Sequence, residues 1–322
     1  MSKEKFILLG KEIEMGESAH LELEVAKLHT RHSIHIPIFV ERAKKDGPVL
    51  LLMGGVHGDE VNGVGILREI IKQKLNKPKI GTTICIPVLN VFGYLSQTRE
   101  FPDGRDLNRV FPGSANGSLA SQFAYKFTQE IVPLVDYTID FHSGGGERDN
   151  FPQIRCAFGS EFGDNKNEEL AEAFGAPIVL ESKCIPKSVR YTMEKAGKPI
   201  ILFEGGKSKN LDKKVIETGV RGALNVMKFL GMQKGEIKKA NETFIIKKSK
   251  WLRAPFSGMF HLVAENGTWV PKRTLLGIIS DPYGEFERKV LAPTDCFIIC
   301  VNKTAIVNRG DALFHIGTEF KS

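Results

Sequence analysis

Three apolar runs in this chain end on the same kind of residue. Val49-Leu50-Leu51-Leu52-Met53 leads into Gly54-Gly55-Val56-His57-Gly58-Asp59-Glu60. Tyr137-Thr138-Ile139-Asp140-Phe141 leads into His142, Ser143 and three glycines. Pro199-Ile200-Ile201-Leu202-Phe203 ends on Glu204-Gly205-Gly206. Runs of this length and character read as buried strands. In an open α/β sheet, ligands sit where such strands end and the chain turns away. The adjoining glycines allow backbone angles that bulkier residues resist. His57 and Glu60 are three residues apart, so an imidazole and a carboxylate can close on a single ion. His142 offers a third ligand. Two imidazoles and one carboxylate are the ligand set of a catalytic zinc site that keeps a fourth position open for water. Glu204, beside glycines at a strand end, reads as the general base that takes a proton from that water and returns it to a leaving nitrogen.

The segments between these strands carry helical periodicity. Ile66, Leu67, Ile70, Ile71 and Leu75 share one face of a helix expected from about Val61 to Asn76. Further helices are expected over Leu119–Val132, Glu168–Phe174, Ser188–Ala196 and Lys213–Leu230, with strands at Ser33–Val40, Thr82–Val88, Ile154–Phe158 and Pro177–Leu180. Strands alternating with helices predict an α/β layered fold. Past Thr243 the period falls to two and turn residues multiply, the pattern of a small all-β unit. At 322 residues and 42% hydrophobic the chain is long enough for two domains. The expected division is 1–240 for the α/β domain and 241–322 for the β domain.

Between the helices lies a stretch expected to be irregular, Leu89 to Gly117. Loops of that length without structure of their own tend to be functional. This one carries Arg99, Arg105 and Arg109, any of which can stabilise an oxyanion or clamp a carboxylate. Asn108 adds an amide donor. Asp106 can accept the far N–H of a ligand histidine. A second polar stretch, Ser143 to Arg155, is expected as a loop; its Arg148 and Arg155 are candidates to meet a second substrate carboxylate.

Charge narrows the class of partner. The formal charge is +7, with lysines scattered and no arginine-rich run interleaved with aromatics. No nucleic-acid partner is expected; a modest positive field suits a small anionic substrate. No apolar stretch reaches spanning length, so no membrane partner is expected either. The N-terminal apolar run is too short for a secretory signal, and the five cysteines contain no Cys-x-x-Cys pair. The expectation is a cytoplasmic protein with reduced, mostly buried thiols.

Four stretches resemble the succinylglutamate desuccinylase/aspartoacylase family of the zinc carboxypeptidase-like superfamily. They are Gly54-Gly-Val-His57-Gly-Asp-Glu60-Val-Asn-Gly63, Asp103-Gly-Arg-Asp106-Leu-Asn108-Arg109-Val-Phe-Pro-Gly113, Asp140-Phe-His142-Ser-Gly-Gly145 and Phe203-Glu204-Gly-Gly206. The resemblance implies one zinc ion bound by His57, Glu60 and His142, with Glu204 as catalytic base. It implies that Asn108 and Arg109 hold the substrate carboxylate. Arg99 best matches the arginine that polarises the scissile carbonyl, with Arg105 as its rival, and Asp106 matches an acidic residue behind the metal ligands. The implied fold is a three-layer α/β/α domain around a mixed sheet, plus a small C-terminal β domain. Ala254-Pro-Phe-Ser-Gly-Met259 and Val307-Asn-Arg-Gly-Asp311-Ala-Leu are similar to a biotinyl/lipoyl-like barrel, but no lysine occupies the carrier position. That domain is expected to shape the pocket mouth or to form a homo-oligomer interface. The implied activity is zinc-dependent hydrolysis of the amide of an N-acyl amino acid, or of a similar small carboxylate-bearing amide, by metal-activated water. The alternatives are a zinc carboxypeptidase acting on small peptides or cell-wall fragments, and a non-catalytic metal- or ligand-binding protein.

Overall fold

The structure, a computed structural model, describes residues 5–159, 166–238 and 243–321. The chain opens with the short ribbon β1 (Ile7–Leu8) and β2 (Lys11–Glu12), then the long hairpin β3 (Ser18–Lys27) and β4 (Ser33–Arg42). The α/β part follows: β5 (Val49–Gly54), α1 (Val61–Lys72), β6 (Thr82–Ile86), α2 (Val91–Ser96), α3 (Leu119–Glu130), β7 (Tyr137–Gly144), β8 (Arg148–Cys156), α4 (Asn167–Phe174), β9 (Ile178–Glu181), α5 (Val189–Lys195), β10 (Ile200–Lys207) and α6 (Lys213–Phe229). The rest is strand: β11 (Phe244–Arg253), β12 (Gly258–Leu262), β13 (Trp269–Val270), β14 (Leu275–Ser280), β15 (Glu287–Leu291), β16 (Cys296–Asn302), β17 (Ile306–Val307) and β18 (Ala312–Lys321).

Most of these strands share one mixed twelve-stranded sheet, in the order β13-β16-β18-β11-β9-β8-β10-β7-β5-β6-β4-β3. At its centre β10, β7, β5 and β6 run parallel. Parallel strands are covered on both faces, which is why β5 is buried at every residue. Leu51 and Met53 pack with α3 and α5 on one side; Leu50 and Leu52 pack with α1, α4 and α6 on the other. The helices begin where side chains can take up their orphan N–H groups. Ser118, Ser188 and Asp212 accept from the first turns of α3, α5 and α6.

Two stretches expected as loops carry regular structure. Within Leu89–Gly117 the chain forms α2 and a 3-10 turn at Leu107–Arg109. Most of Ser143–Arg155 is strand: the end of β7, then β8. Its end overlaps the strand expected from Ile154; the earlier part was hidden because polar residues such as Arg148 and Asn150 face a pocket rather than an apolar core. β3 was hidden in another way. Ala19 and Leu23 are buried while His20 and Glu22 are exposed, so its charged face masked the alternation.

β8 also changes partner along its length. Gln153–Cys156 pair with β9, in parallel, whereas Arg148–Asn150 pair with β16, antiparallel. β9 pairs with β11, β11 with β18 and β18 with β16. The five strands β8-β9-β11-β18-β16 therefore form a closed ring. Its apolar filling takes residues from each of them: Phe151, Ile178, Leu180, Ile246, Phe297, Ile299 and Phe320. Closure removes edges that would otherwise present unpaired backbone groups. A separate apolar cluster including Phe260, Leu276 and Phe314 lies between this ring and a four-stranded sheet of β15-β14-β12-β17. The expected boundary at 240/241 lies outside the described residues. Among the described residues no helix is long and apolar enough to cross a membrane.

The ring predicts that the α/β part and the C-terminal strands unfold together. Both tryptophans, Trp251 and Trp269, lie in the C-terminal strands, while α1 to α6 end by Phe229. Urea midpoints from tryptophan fluorescence and from far-ultraviolet circular dichroism are expected to coincide. Ile299→Ala, which opens a cavity in the ring, should cost about 2–5 kcal/mol of stability and lower both midpoints equally. Two separated midpoints would contradict the coupling.

Candidate active site

The sheet sets β10, β7 and β5 side by side, so their ends lie at one level. Glu204 stands opposite His142, and Gly54 opposite Phe141. His57 and Glu60 follow in the turn from β5 into α1. Close backbone packing fixes that turn. A Cβ on Gly58 would lie 1.8 Å from the Gly93 carbonyl carbon of α2, and one on Gly63 would lie 2.5 Å from the Phe141 carbonyl oxygen of β7. Only glycine permits either approach. Asn62 ties α1 to the end of β10: its amide donates to the Gly205 and Lys207 carbonyls, and its oxygen accepts from Asp212 N.

His57, Glu60 and His142 converge, each almost wholly buried. His57 Nδ1 lies 2.8 Å from Glu60 Oε1, and His142 Nδ1 lies 2.8 Å from Glu60 Oε2. Ser143 N donates to Glu60 Oε2 at 3.1 Å. One ligand atom from each of the three residues lies within 4.8 Å of the others, a spacing that a single cation can bridge. The far nitrogen of each ring is held by a carboxylate: His57 Nε2 by Asp106 at 3.1 Å and His142 Nε2 by Asp140 at 2.9 Å. A carboxylate on Nε2 keeps the proton there and turns the Nδ1 lone pair toward the shared centre. The donor set therefore fits a divalent cation of the zinc type.

The electrostatics follow from burial and crowding. Burial alone would lower the His142 pKa, but Asp140 and Glu60 outweigh it and hold the imidazole well above its ordinary value. His57 is raised in the same way by Glu60 and Asp106. Burial would raise Glu60, yet the two imidazoles hold it well below the usual carboxylate range. Asp106 is also held low, because His57 and Arg99 overcome its desolvation.

Arg99 joins the cluster on its open side. Its Nη1 donates to Glu60 Oε1 at 3.0 Å and lies 3.2 Å from His57 Nδ1, while Nε and Nη2 grip Asp106 Oδ2 at 3.1 and 2.9 Å. Arg105 is placed elsewhere. It is exposed, lies 3.5 Å from Asp103 and does not line the pocket. Asn108 and Arg109 do line it. Asn108 Oδ1 accepts from Val189 N at 2.9 Å, which moors this turn to the start of α5.

Glu204 lines the same pocket, beside His142 on the neighbouring strand. Asn150 Nδ2 donates to its Oε2 at 2.8 Å, and Arg155 Nη1 lies 3.9 Å from its Oε1. Burial pushes the Glu204 carboxyl above its ordinary value; the Arg155 charge opposes this and the Glu60 charge adds to it. The pocket has a volume of about 220 Å³. Arg148 and Trp251 form part of its wall, with the guanidinium 5.3 Å from the ring centroid. Trp251 also stacks on His315, 4.7 Å between centroids. Burial pushes His315 down to about 3, so that ring is neutral.

Sequence reasoning passed over Asp140, Asn150, Arg190 and Trp251. Asp140 had a signal: it precedes His142 by two in a strand, so both side chains leave the same face. Asn150 and Trp251 had none, since their neighbours come from strands far off in the chain.

A polar pocket at parallel strand ends is floored by two imidazoles and a carboxylate that could share one cation. Residues 46–230 match the model of the succinylglutamate desuccinylase/aspartoacylase catalytic domain. The chain belongs to this family of deacylases. It is 27% identical over 295 residues to the N-alpha-acetyl-L-2,4-diaminobutyric acid deacetylase of Halomonas elongata, covering 87% of this chain and 85% of that one. Two solved structures share the fold at 24% identity. One is a succinylglutamate desuccinylase/aspartoacylase from Rhodobacter sphaeroides, with TM-score 0.83 and 95% and 96% of the two chains covered. The other is the product-bound ectoine utilization protein EutE (DoeB) from Ruegeria pomeroyi, with TM-score 0.84 and 95% and 97% covered.

Two outcomes follow for cation binding. Asp140→Asn removes the charge that orients His142, and should weaken zinc affinity about 10–100-fold in a chelator competition titration. Because the His142 pKa is raised, the free site carries a proton at neutral pH that a cation must displace. Zinc binding should therefore release protons and tighten as pH rises above about 6.5. Calorimetry in buffers of different ionisation enthalpy reads this directly, and a heat independent of buffer would contradict it.

Proposed function

We propose that this protein is a zinc-dependent deacylase that hydrolyses the amide of an N-acyl amino acid, or of a similar small carboxylate-bearing amide. The observation that carries the reading is the meeting of His57, Glu60 and His142 in one buried cluster, with a pKa-raised Glu204 lining the same pocket. A zinc ion held by those three side chains would supply a Lewis acid and an acidified water, with a pKa near about 7. Glu204 takes the proton at its carboxylate and returns it to the departing nitrogen; a raised pKa suits both halves of that task. Arg99, which lines the pocket, polarises the scissile carbonyl and stabilises the charge that builds on its oxygen. Asn108 and Arg109 orient the substrate carboxylate, Arg109 as a cation on the rim and Asn108 from a turn moored to α5. Asp106 and Asp140 hold the two imidazoles in the ligand tautomer.

The charges around the pocket bear on the substrate. Arg99, Arg109, Arg148, Arg155 and Arg190 line it, against Glu60 and Glu204. Both carboxylates already have work, so among the described lining residues none is left to receive a substrate ammonium group. The Halomonas relative is named for a substrate that carries one. Here an acyl amino acid with an anionic or neutral side group fits better, with Arg148 and Arg155 placed to meet a distal acid. The packing on both faces of the central strands supports reading the fold as the three-layer α/β/α arrangement of zinc carboxypeptidases. Residues 1–240 then form the hydrolase unit and 241–322 a β unit that walls the pocket.

A panel of N-acetyl and N-succinyl amino acids, set beside small peptides, tests the reading in zinc-loaded protein. Turnover should favour acylated acidic amino acids over N-acetyl-2,4-diaminobutyrate and over peptides. Glu204→Gln should lower kcat by about 10²–10⁴-fold while zinc content stays the same. Undiminished turnover in that variant would remove Glu204 from its role, and cleavage of peptides alone would replace the deacylase reading with a carboxypeptidase.

A further inference from the structure

We infer that Asn150 is a positioning residue for Glu204: its side-chain amide fixes which carboxylate oxygen can carry the proton, and the C-terminal strands hold Asn150 in place. The inference rests on the reading of Glu204 as the base. Asn150 is nearly buried, and its Nδ2 donates to Glu204 Oε2 at 2.8 Å. An amide N–H cannot accept a proton, so Oε2 is kept as an acceptor. A proton taken up by Glu204 therefore resides on Oε1, the oxygen on the Arg155 side. The bond also holds the carboxylate to one rotamer, which fixes the direction in which a proton leaves.

The reach of Asn150 depends on an irregularity in the sheet. Gln153 stands opposite Glu204, yet Asn150 stands opposite Gly206, so β8 spends one more residue than β10 over this interval. That bulge lets Asn150 as well as Arg155 face the pocket. The segment carrying Asn150 is gripped from the C-terminal side. Cys300 pairs with Asn150, and Lys303 N donates to Glu147 O at 2.9 Å. Asn266 Nδ2 donates to Asp149 O at 2.9 Å, and Lys303 Nζ meets Asp149 Oδ2 at 2.5 Å. In this way the C-terminal strands act on the proton-transfer group through Asn150.

The test compares Asn150→Ala and Asn150→Asp in the zinc-loaded full chain. Asn150→Ala should lower kcat about 10–100-fold with KM little changed, and should leave thermal stability close to that of the parent. Asn150→Asp sets a second carboxylate against Oε2. The pair then shares a proton, and the low-pH limb of the kcat profile should move up by about one unit or more. In a Glu204→Gln background Asn150→Ala should cost nothing further, whereas a merely structural role would lower the residual rate by the same factor. Carboxyl carbon NMR of the protein, with Glu204 identified by its absence in Glu204→Gln, reads the same shift without substrate. The Glu204 titration midpoint should rise in Asn150→Asp. An unchanged kcat in Asn150→Ala, an additive loss in the double variant, or an unmoved midpoint in Asn150→Asp each overturns the inference. Should no amide be turned over, the deacylase reading fails and the titration still decides this one. Should Asn150→Asp not fold, Asn150→Ala and the double variant decide it.

Discussion

The carboxylate of Glu60 is buried among the ends of the central strands, and much of the structure answers that one burial. An ionised carboxylate taken out of water is costly unless its oxygens are satisfied. Here Oε1 meets His57 and Arg99, and Oε2 meets His142 and the Ser143 backbone. Each of these partners is positioned by something else: the two imidazoles by Asp106 and Asp140, Arg99 by Asp106, and Ser143 by its place in β7. The result is a set of charges that balance only together. A cation with two positive charges could take the place of protons in that balance.

The pocket above this cluster is built by two distant parts of the chain. The α/β part supplies the floor through β5, β7 and β10. The C-terminal strands supply Trp251 and brace β8, which carries Arg148, Asn150 and Arg155. The closed ring of β8, β9, β11, β18 and β16 is the physical link between the two. Its interior is apolar and draws on every strand, so neither part can shift without opening that filling. The pocket wall is thus as rigid as a core, although it stands at the surface end of the sheet.

The floor of the site was legible in the sequence and the wall was not. His57, Glu60, His142 and Glu204 each follow an apolar strand and adjoin glycine, and parallel strands that are buried together must end together. Local pattern is enough to place them at one level. The arginines on the following stretch were legible as a group, but not their division. Arg99 reaches His57 and Glu60 because Asp106 draws it inward, whereas Arg105 turns to Asp103, and nothing in the spacing distinguishes the two. Only the end of β8 was expected, from Ile154, because the polar residues before it face a cavity and hide the apolar alternation that marks a strand. Asn150 and Trp251 depend on register between strands separated by much of the chain, which is a property of the tertiary structure alone.

The change of partner along β8 has a bearing on how the molecule comes into being. Cys300 pairs with Asn150, so half the chain separates two neighbours in the sheet. On the ribosome, β5, β7 and β10 can assemble, with their histidines, long before β16 emerges. Until it does, the stretch from Arg148 to Asn150 has β10 on one side and no strand on the other. A nascent chain can therefore bring His57, Glu60 and His142 together before β16 is made, whereas Asn150 gains its neighbour Cys300 only afterwards.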